Sequence, residues 1–119
     1  MKKSAHALGK SGEETALEYL KNKNYRIIKR NYRFLRGEID IIAYDKNTLV
    51  FIEVKTRRSK VFGLPEESVT PRKQNQIRKI AQGFLAKNDL KNIVCRFDVL
   101  SLSCCEKDGY KIKHIQNAF

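Results

Sequence analysis

Four side chains stand at spacings that suit metal-assisted chemistry: Glu13, Asp40, and the two charges of Glu53-Val54-Lys55. A Glu-x-Lys tripeptide alone carries no information, because 8 Glu and 16 Lys in 119 residues produce about one by chance. Its setting gives it weight. Leu49 to Thr56 is the most continuously apolar run of the chain and reads as a central strand. Glu53 and Lys55 both point to one face of it, where charges are rarely buried without a partner. A turn centred on Lys46-Asn47 pairs Tyr44 with Leu49, Ile42 with Phe51 and Asp40 with Glu53. Opposed side chains lie ~4.5–5.5 Å apart, and like charges there destabilise a sheet. Two carboxylates so placed need a shared proton or a cation. A hard ion such as Mg²⁺ (or Mn²⁺), which takes one or two carboxylates and keeps waters for a phosphate, fits the pair. The same register sets Glu38 opposite Lys55, so a plain cross-strand ion pair is the competing reading of that lysine.

The elements that must position these groups follow from periodicity. A helix is predicted from about Ser4 or Ser11 to Lys23. Glu13 falls in the middle of its apolar stripe of Ala16, Leu17 and Leu20, whereas Glu14, about 100° further round, lies on the flank. A carboxylate centred on an apolar face is costly unless it has a partner. A strand from Tyr25 to Asn31 comes next. Gly37 to Tyr44 alternates, with Ile39, Ile41 and Ala43 on one face and Glu38, Asp40, Ile42 and Tyr44 on the other. After a loop containing Gly63 and Pro65, Thr70-Pro71 marks a helix start, with Thr as N-cap. Ile77, Ile80, Ala81, Phe84 and Leu85 give this helix an apolar face that ends near Asn88. Strands from Ile93 to Ser103 and Tyr110 to Ile115, joined by a turn at Lys107-Asp108-Gly109, complete the order α-β-β-β-α-β-β. That order predicts an α/β fold, a central mixed sheet flanked by helices.

Composition bounds the partners. A chain of 119 residues is one domain, residues 1–119, with 41% hydrophobic and 32% charged residues. Its 25 Lys and Arg against 13 Asp and Glu leave a net charge of +12, which favours a polyanion: nucleic acid first, an anionic membrane surface second. The segment Lys21 to Arg36 holds seven Lys/Arg and no acid, and from Lys29 to Arg36 it interleaves charge with Tyr32 and Phe34. Arg57, Arg58 and Lys60 extend the charge beyond the Glu-x-Lys strand. Lys73 lies in line with Ile77, Ile80 and Phe84 at the positive end of the second helix, a place for a phosphate or simply for a snorkelling lysine. No apolar stretch reaches the ~18 residues of a membrane span, and the helices lack the face of a membrane-surface anchor. The opening residues do not resemble a signal peptide. Cys95, Cys104 and Cys105 form no disulfide framework or zinc knuckle, which fits a reducing cytoplasm. His6 and His114 are isolated and receive no role. Gly9-x-x-Gly12 lacks the following Gly-Lys-Ser/Thr of a nucleotide loop.

Gly37-Glu38-Ile39-Asp40-Ile41-Ile42-Ala43 and Val50-Phe51-Ile52-Glu53-Val54-Lys55-Thr56-Arg57 together closely resemble the bacterial YraN-like family of uncharacterised proteins. Gly9, Gly12-Glu13, Ala16, Leu20, Asn31, Phe62-Gly63, Pro65, Lys73 and Arg96-Phe97-Asp98-Val99 extend the likeness over nearly the whole chain. Asn24 stands where relatives more often carry Gly. Members of that family look like nucleases of the PD-(D/E)-x-K, restriction-endonuclease-like superfamily and are similar to archaeal Holliday-junction resolvases. The resemblance implies Asp40 and Glu53 as metal ligands, Glu13 as a further acid reaching the metal, and Lys55 as the catalytic lysine. Ile39 replaces the superfamily's proline before Asp40. Arg30, Arg33, Arg36, Arg57, Arg58 and Lys73 are the candidate nucleic-acid contacts.

Two functions follow as expectations: a Mg²⁺- or Mn²⁺-dependent endonuclease acting on DNA, branched or recombination structures included, and a nucleic-acid-binding protein of the same fold without catalysis. Cutting both strands would require a homodimer. Either function predicts mainly electrostatic binding. With about six phosphates neutralised, affinity for duplex DNA should fall ~10³-fold or more between 50 and 200 mM salt. Titration by fluorescence anisotropy reads this slope, and a flat response would exclude nucleic acid as the partner.

Overall fold

Ala16, Leu17 and Leu20 share one face of helix α1 (Gly12–Asn22) and are buried on the sheet. The computed structural model describes residues 12–57, 69–105 and 109–119. The start of the first helix at Ser4 or Ser11, His6, Gly9, Arg58, Lys60, the loop with Phe62, Gly63 and Pro65, and Lys107-Asp108 lie outside the described residues. Helix α1 ends on Asn24, whose φ of 70° is the left-handed turn that Asn tolerates, and Tyr25 N–H donates back to Leu20 O at 2.9 Å. Strands β1 (Arg26–Phe34), β2 (Gly37–Asp45) and β3 (Thr48–Arg57) follow as two hairpins. Helix α2 (Pro71–Lys87) starts on Thr70, whose hydroxyl accepts from Lys73 N–H at 3.2 Å, and Asn88 caps its other end. It carries the chain to β4 (Cys95–Cys105), parallel to β3, and β5 (Gly109–Ile115) closes the sheet.

The five-stranded mixed sheet has the order β1-β2-β3-β4-β5. One face packs Ile41, Ala43, Val50, Ile52, Leu100 and Leu102 under α1. The other packs Ile39, Ile42, Leu49, Phe51 and Val99 under Ile77, Ile80, Ala81 and Phe84 of α2. This α/β architecture is compatible with a restriction-endonuclease-like fold. The β2–β3 register follows the predicted turn: Tyr44 opposes Leu49 and Ile42 opposes Phe51. Lys46 takes a φ of 58° in that turn.

Two expectations need correction. The first strand runs on to Phe34, so much of the basic segment is strand rather than the stretch after it. Ile39 packs with Ile42 under α2, whereas Ile41 and Ala43 face α1, so strict alternation breaks at Asp40.

The β1–β2 turn is held at both shoulders by missing Cβ atoms. A Cβ on Gly37 would stand 2.5 Å from Ile80 Cδ1, and one on Gly83 would stand 2.5 Å from the Phe34 ring. Between these anchors Leu35 adopts a φ of 59°, a conformation that costs an L-residue roughly 1–2 kcal/mol.

His114, given no role from the sequence, belongs to a buried polar network. Asp98 is fully buried and accepts two bonds from Arg96, Nε to Oδ1 at 2.9 Å and Nη2 to Oδ2 at 3.0 Å. It also accepts from Asn117 N–H at 3.0 Å. His114 Nε2 lies 2.8 Å from Asp98 Oδ2. An ionised carboxylate only accepts, so His114 Nε2 donates to it, and Nδ1 on the other side of the ring lies 3.2 Å from the Tyr19 hydroxyl. Arg96 also reaches Asp45 at 3.1 Å and Tyr25 at 2.7 Å. Burial alone raises the Asp98 carboxyl, but the bonds from His114, Arg96 and Asn117 outweigh it and hold the carboxyl below its ordinary value. A lowered carboxyl contributes stability that is present above about pH 4 and is lost as pH falls through the folded value. Asp98→Asn should therefore cost about 3–5 kcal/mol at pH 7, and about 1 kcal/mol less than that at pH 3, by urea denaturation. An equal cost at both pH values would show that charge plays no part.

Candidate metal and nucleic-acid site

The β2–β3 ladder stops at Ile41 and Ile52. Past that point Asp40 does not take its expected ladder place opposite Glu53. Its Oδ2 instead accepts from the Val54 backbone N–H at 2.8 Å, so a side chain fills the bond that a strand partner would have made. On the other side, β1 pairs with β2 at Arg30–Ile41 and Tyr32–Ile39, skipping Asn31 and Asp40 between them. Asn31 has a φ of 50° there, so both strands are distorted at the same rung.

Helix α1 brings the next carboxylate. Gly12 lets its first turn approach β3 so closely that a Cβ would collide with Thr56 Oγ1. This seats Glu13 toward the strand break, while Glu14 is exposed. One carboxylate oxygen each from Glu13, Glu38 and Asp40 lie within 4.8 Å of one another. The Asn31 amide nitrogen, turned toward these acceptors, donates to Glu38 Oε2 at 2.8 Å and to the two Glu13 oxygens at 3.0 and 3.1 Å. Arg33 Nε stands 3.5 Å from Glu38.

Glu53 is buried beside this trio rather than within it. Its Oε2 lies 3.6 Å from Lys55 Nζ and 3.8 Å from Lys73 Nζ, the latter on the first turn of α2. Lys55 thus pairs with Glu53 and not, as one cross-strand reading had it, with Glu38. The charge balance remains unfavourable for Asp40. Burial first, then the Glu53 charge, then those of Glu13 and Glu38, push its carboxyl up to about 7 against the opposing Val54 bond.

Of the predicted site residues, Glu13 and Asp40 meet as expected, and Glu53 and Lys55 adjoin them. Glu38 and Asn31 complete the cluster without having been singled out as ligand or donor. Period-two alternation already placed Glu38 on the Asp40 face, and that was the available signal for it. Arg33, Arg36 and Lys73 line one depression with Glu38. Arg30 is exposed on β1 and Arg57 half-buried at the end of β3, neither lining that depression; Arg58 lies outside the described residues. The depression continues into a groove of about 680 Å³ between the β1–β2 turn and α2, to which Arg72 and Lys79 add charge.

The donor set suits a hard divalent ion. Mg²⁺–oxygen distances of about 2.0–2.1 Å place ligand oxygens ~3–4 Å apart, so the trio closes on an ion with shifts of about 1 Å.

A mixed α/β sheet whose central strands part around a cluster of acids defines the class of this protein. The comparisons agree at family level: residues 12–102 match the uncharacterised protein family UPF0102, and the chain belongs to it, the family of the YraN-like resemblance. A UPF0102 protein of Geobacter sulfurreducens is 47% identical over 112 residues, covering 94% of this chain and 88% of that protein. One from Desulforamulus reducens is 51% identical over 116 residues, covering 94% of each. A third, from Chlorobaculum tepidum, is 53% identical over 117 residues, covering 94% of this chain and 91% of its own length.

A carboxyl raised from 3.8 to about 7 takes up a proton on folding. The metal-free protein should therefore lose stability as pH rises from about 4 through 7. Asp40→Asn removes that loss: it should stabilise the metal-free protein by about 1–3 kcal/mol at pH 8 and change little at pH 4, by urea denaturation. Manganese binding, read by calorimetry, should be lost in the same variant. Destabilisation at pH 8 would instead make Asp40 a structural acid.

Proposed function

We propose that this protein is a divalent-metal-dependent endonuclease that hydrolyses phosphodiester bonds in DNA, branched or recombination intermediates among them. The observation that carries this reading is the trio of carboxylates within 4.8 Å around an Asp40 pushed up to about 7, next to two lysines and a basic groove. Acids crowded to that degree call for a cation, and the surrounding positive charge calls for a polyanion.

Asp40, Glu13 and Glu38 would hold Mg²⁺ or Mn²⁺, with Glu53 close enough to adjust the field. Such an ion polarises a phosphate and lowers the pKa of a coordinated water. The chain supplies the rest. Lys55, fixed by Glu53, places an ammonium where charge develops on the phosphate oxygens. Lys73 does the same from the first turn of α2, where the helix dipole adds to the positive field. Arg33 and Arg36 position the strand. No described helix is long and apolar enough to cross a membrane. A cut in both strands requires two copies of the chain, hence a homodimer on such substrates.

The test is a cleavage screen over linear, flapped and four-way DNA with Mg²⁺ or Mn²⁺. Wild type should cut at least one substrate and stop on chelation. Asp40→Asn should lower the rate by about 10²-fold or more, as expected when a metal ligand is lost, while binding persists. Tight, salt-sensitive binding with no cleavage under either metal would leave a non-catalytic DNA-binding protein. Absence of binding would reject both readings.

A further inference from the structure

Leu35 is the most exposed large apolar residue described, 76% open to solvent, in a left-handed conformation better suited to Gly or Asn. Neither packing nor backbone preference accounts for a leucine there, and strain kept at an exposed position points to function. Phe34 lies on α2 where Gly83 leaves room, Gly37 abuts Ile80 and Gln76, and Leu35 with Arg36 projects between these anchors.

The groove beside it has walls of Arg36, Arg72, Lys73 and Lys79 and an apolar part from Phe34 and Ile80, with Gln76 supplying an amide. Its volume of about 680 Å³ falls within the ~300–1,000 Å³ of pockets that enclose a drug-sized body such as a nucleotide. The groove shares Leu35, Arg36, Gly37, Lys73 and Gln76 with the depression that contains Glu38, so whatever lies in it leads to the acid trio.

We propose that Leu35 is a wedge that unstacks DNA at a branch or fork, and that the groove between the β1–β2 turn and α2 takes the single strand released there. Charge complementarity supplies the grip on the backbone. An apolar side chain inserted at a base step, flanked by arginines, is a known way to open a stack. The strand in the groove then reaches the acids past Lys73. This deepens the endonuclease reading by naming its substrate, DNA with a junction between paired and unpaired strands, and it rests on that reading.

The probe is a forked DNA carrying 2-aminopurine at the branch, without divalent metal, beside a linear duplex of the same sequence. Wild type should raise the fluorescence severalfold on the fork and bind it ~10-fold or more tightly than the linear duplex. Leu35→Asn, which suits the left-handed backbone, should abolish the rise and reduce the fork preference to about twofold; Leu35→Met should restore both. Circular dichroism confirms that each variant is folded. A rise that survives in Leu35→Asn overturns the wedge, as does equal binding of fork and linear DNA by wild type. Metal-dependent cutting of linear DNA with no fork preference would overturn the wedge and leave the endonuclease standing, whereas no DNA binding at all would remove both.

Discussion

Mutual repulsion among Glu13, Glu38, Asp40 and Glu53 is the constraint around which one end of this sheet is arranged. Two unit charges 4 Å apart interact by about 4 kcal/mol at the effective dielectric of a protein surface. A hydrogen bond to a charged group returns about 1.5–3 kcal/mol. Burial is the largest cause of the rise at Asp40 and the neighbouring carboxylates add to it, so the single bond from Val54 N–H does not offset the two together and the carboxyl rises to about 7. The other adjustments follow the same need. Asn31 bends into the left-handed region to donate to two glutamates, and Lys55 and Lys73 converge on Glu53 from different elements. A sheet selected for stability alone would not gather these acids.

The strand break and the helix start form one device. If β2 and β3 stayed paired beyond Ile41 and Ile52, Asp40 would stand in the ladder and Val54 N–H would be taken by backbone. Parting the strands frees that N–H for a side chain and opens the rung where Asn31 bends. Gly12 then lets α1 come close enough to β3 for Glu13 to reach it. On the opposite face α2 presents Lys73 to Glu53, so the parallel β3-α2-β4 crossover delivers positive charge while completing the sheet.

Much of this was legible because the signals are local. The turn at Lys46-Asn47 sets the hairpin register, helical periodicity separates Glu13 from Glu14, and Thr70-Pro71 starts α2 where capping chemistry requires. Legibility fails where position depends on how elements meet. Register arithmetic places Asp40 opposite Glu53, but it cannot see that the ladder ends one rung earlier and that Asp40 turns to Val54. The same break moves Ile39 to the α2 face, against strict alternation. Glu38 looked like a partner for Lys55 until α1 and Asn31 were in place around it. The Phe34–Gly83 and Gly37–Ile80 contacts, which hold the groove open, join residues more than forty positions apart and carry no local pattern.

The same sheet contains a control for reading its acids. Asp98 is more deeply buried than Asp40, yet Arg96, His114 and Asn117 supply bonds enough to hold its carboxyl below the ordinary range. Burial by itself therefore does not mark a working acid. What separates the two is whether the protein supplies the compensating charge. Around Asp98 it does, through Arg96, with further bonds from His114 and Asn117, and the result ties β4 to β5, α1 and the β2–β3 turn. Around Asp40 the nearest charges are three more carboxylates, and the lysines that come closest serve Glu53. A cluster left short of positive charge in a chain with a net charge of +12 does not reflect any scarcity of cations. Arg33 reaches Glu38 and Lys55 and Lys73 reach Glu53, whereas Asp40 has only the Val54 N–H to set against its burial and its neighbours' charge.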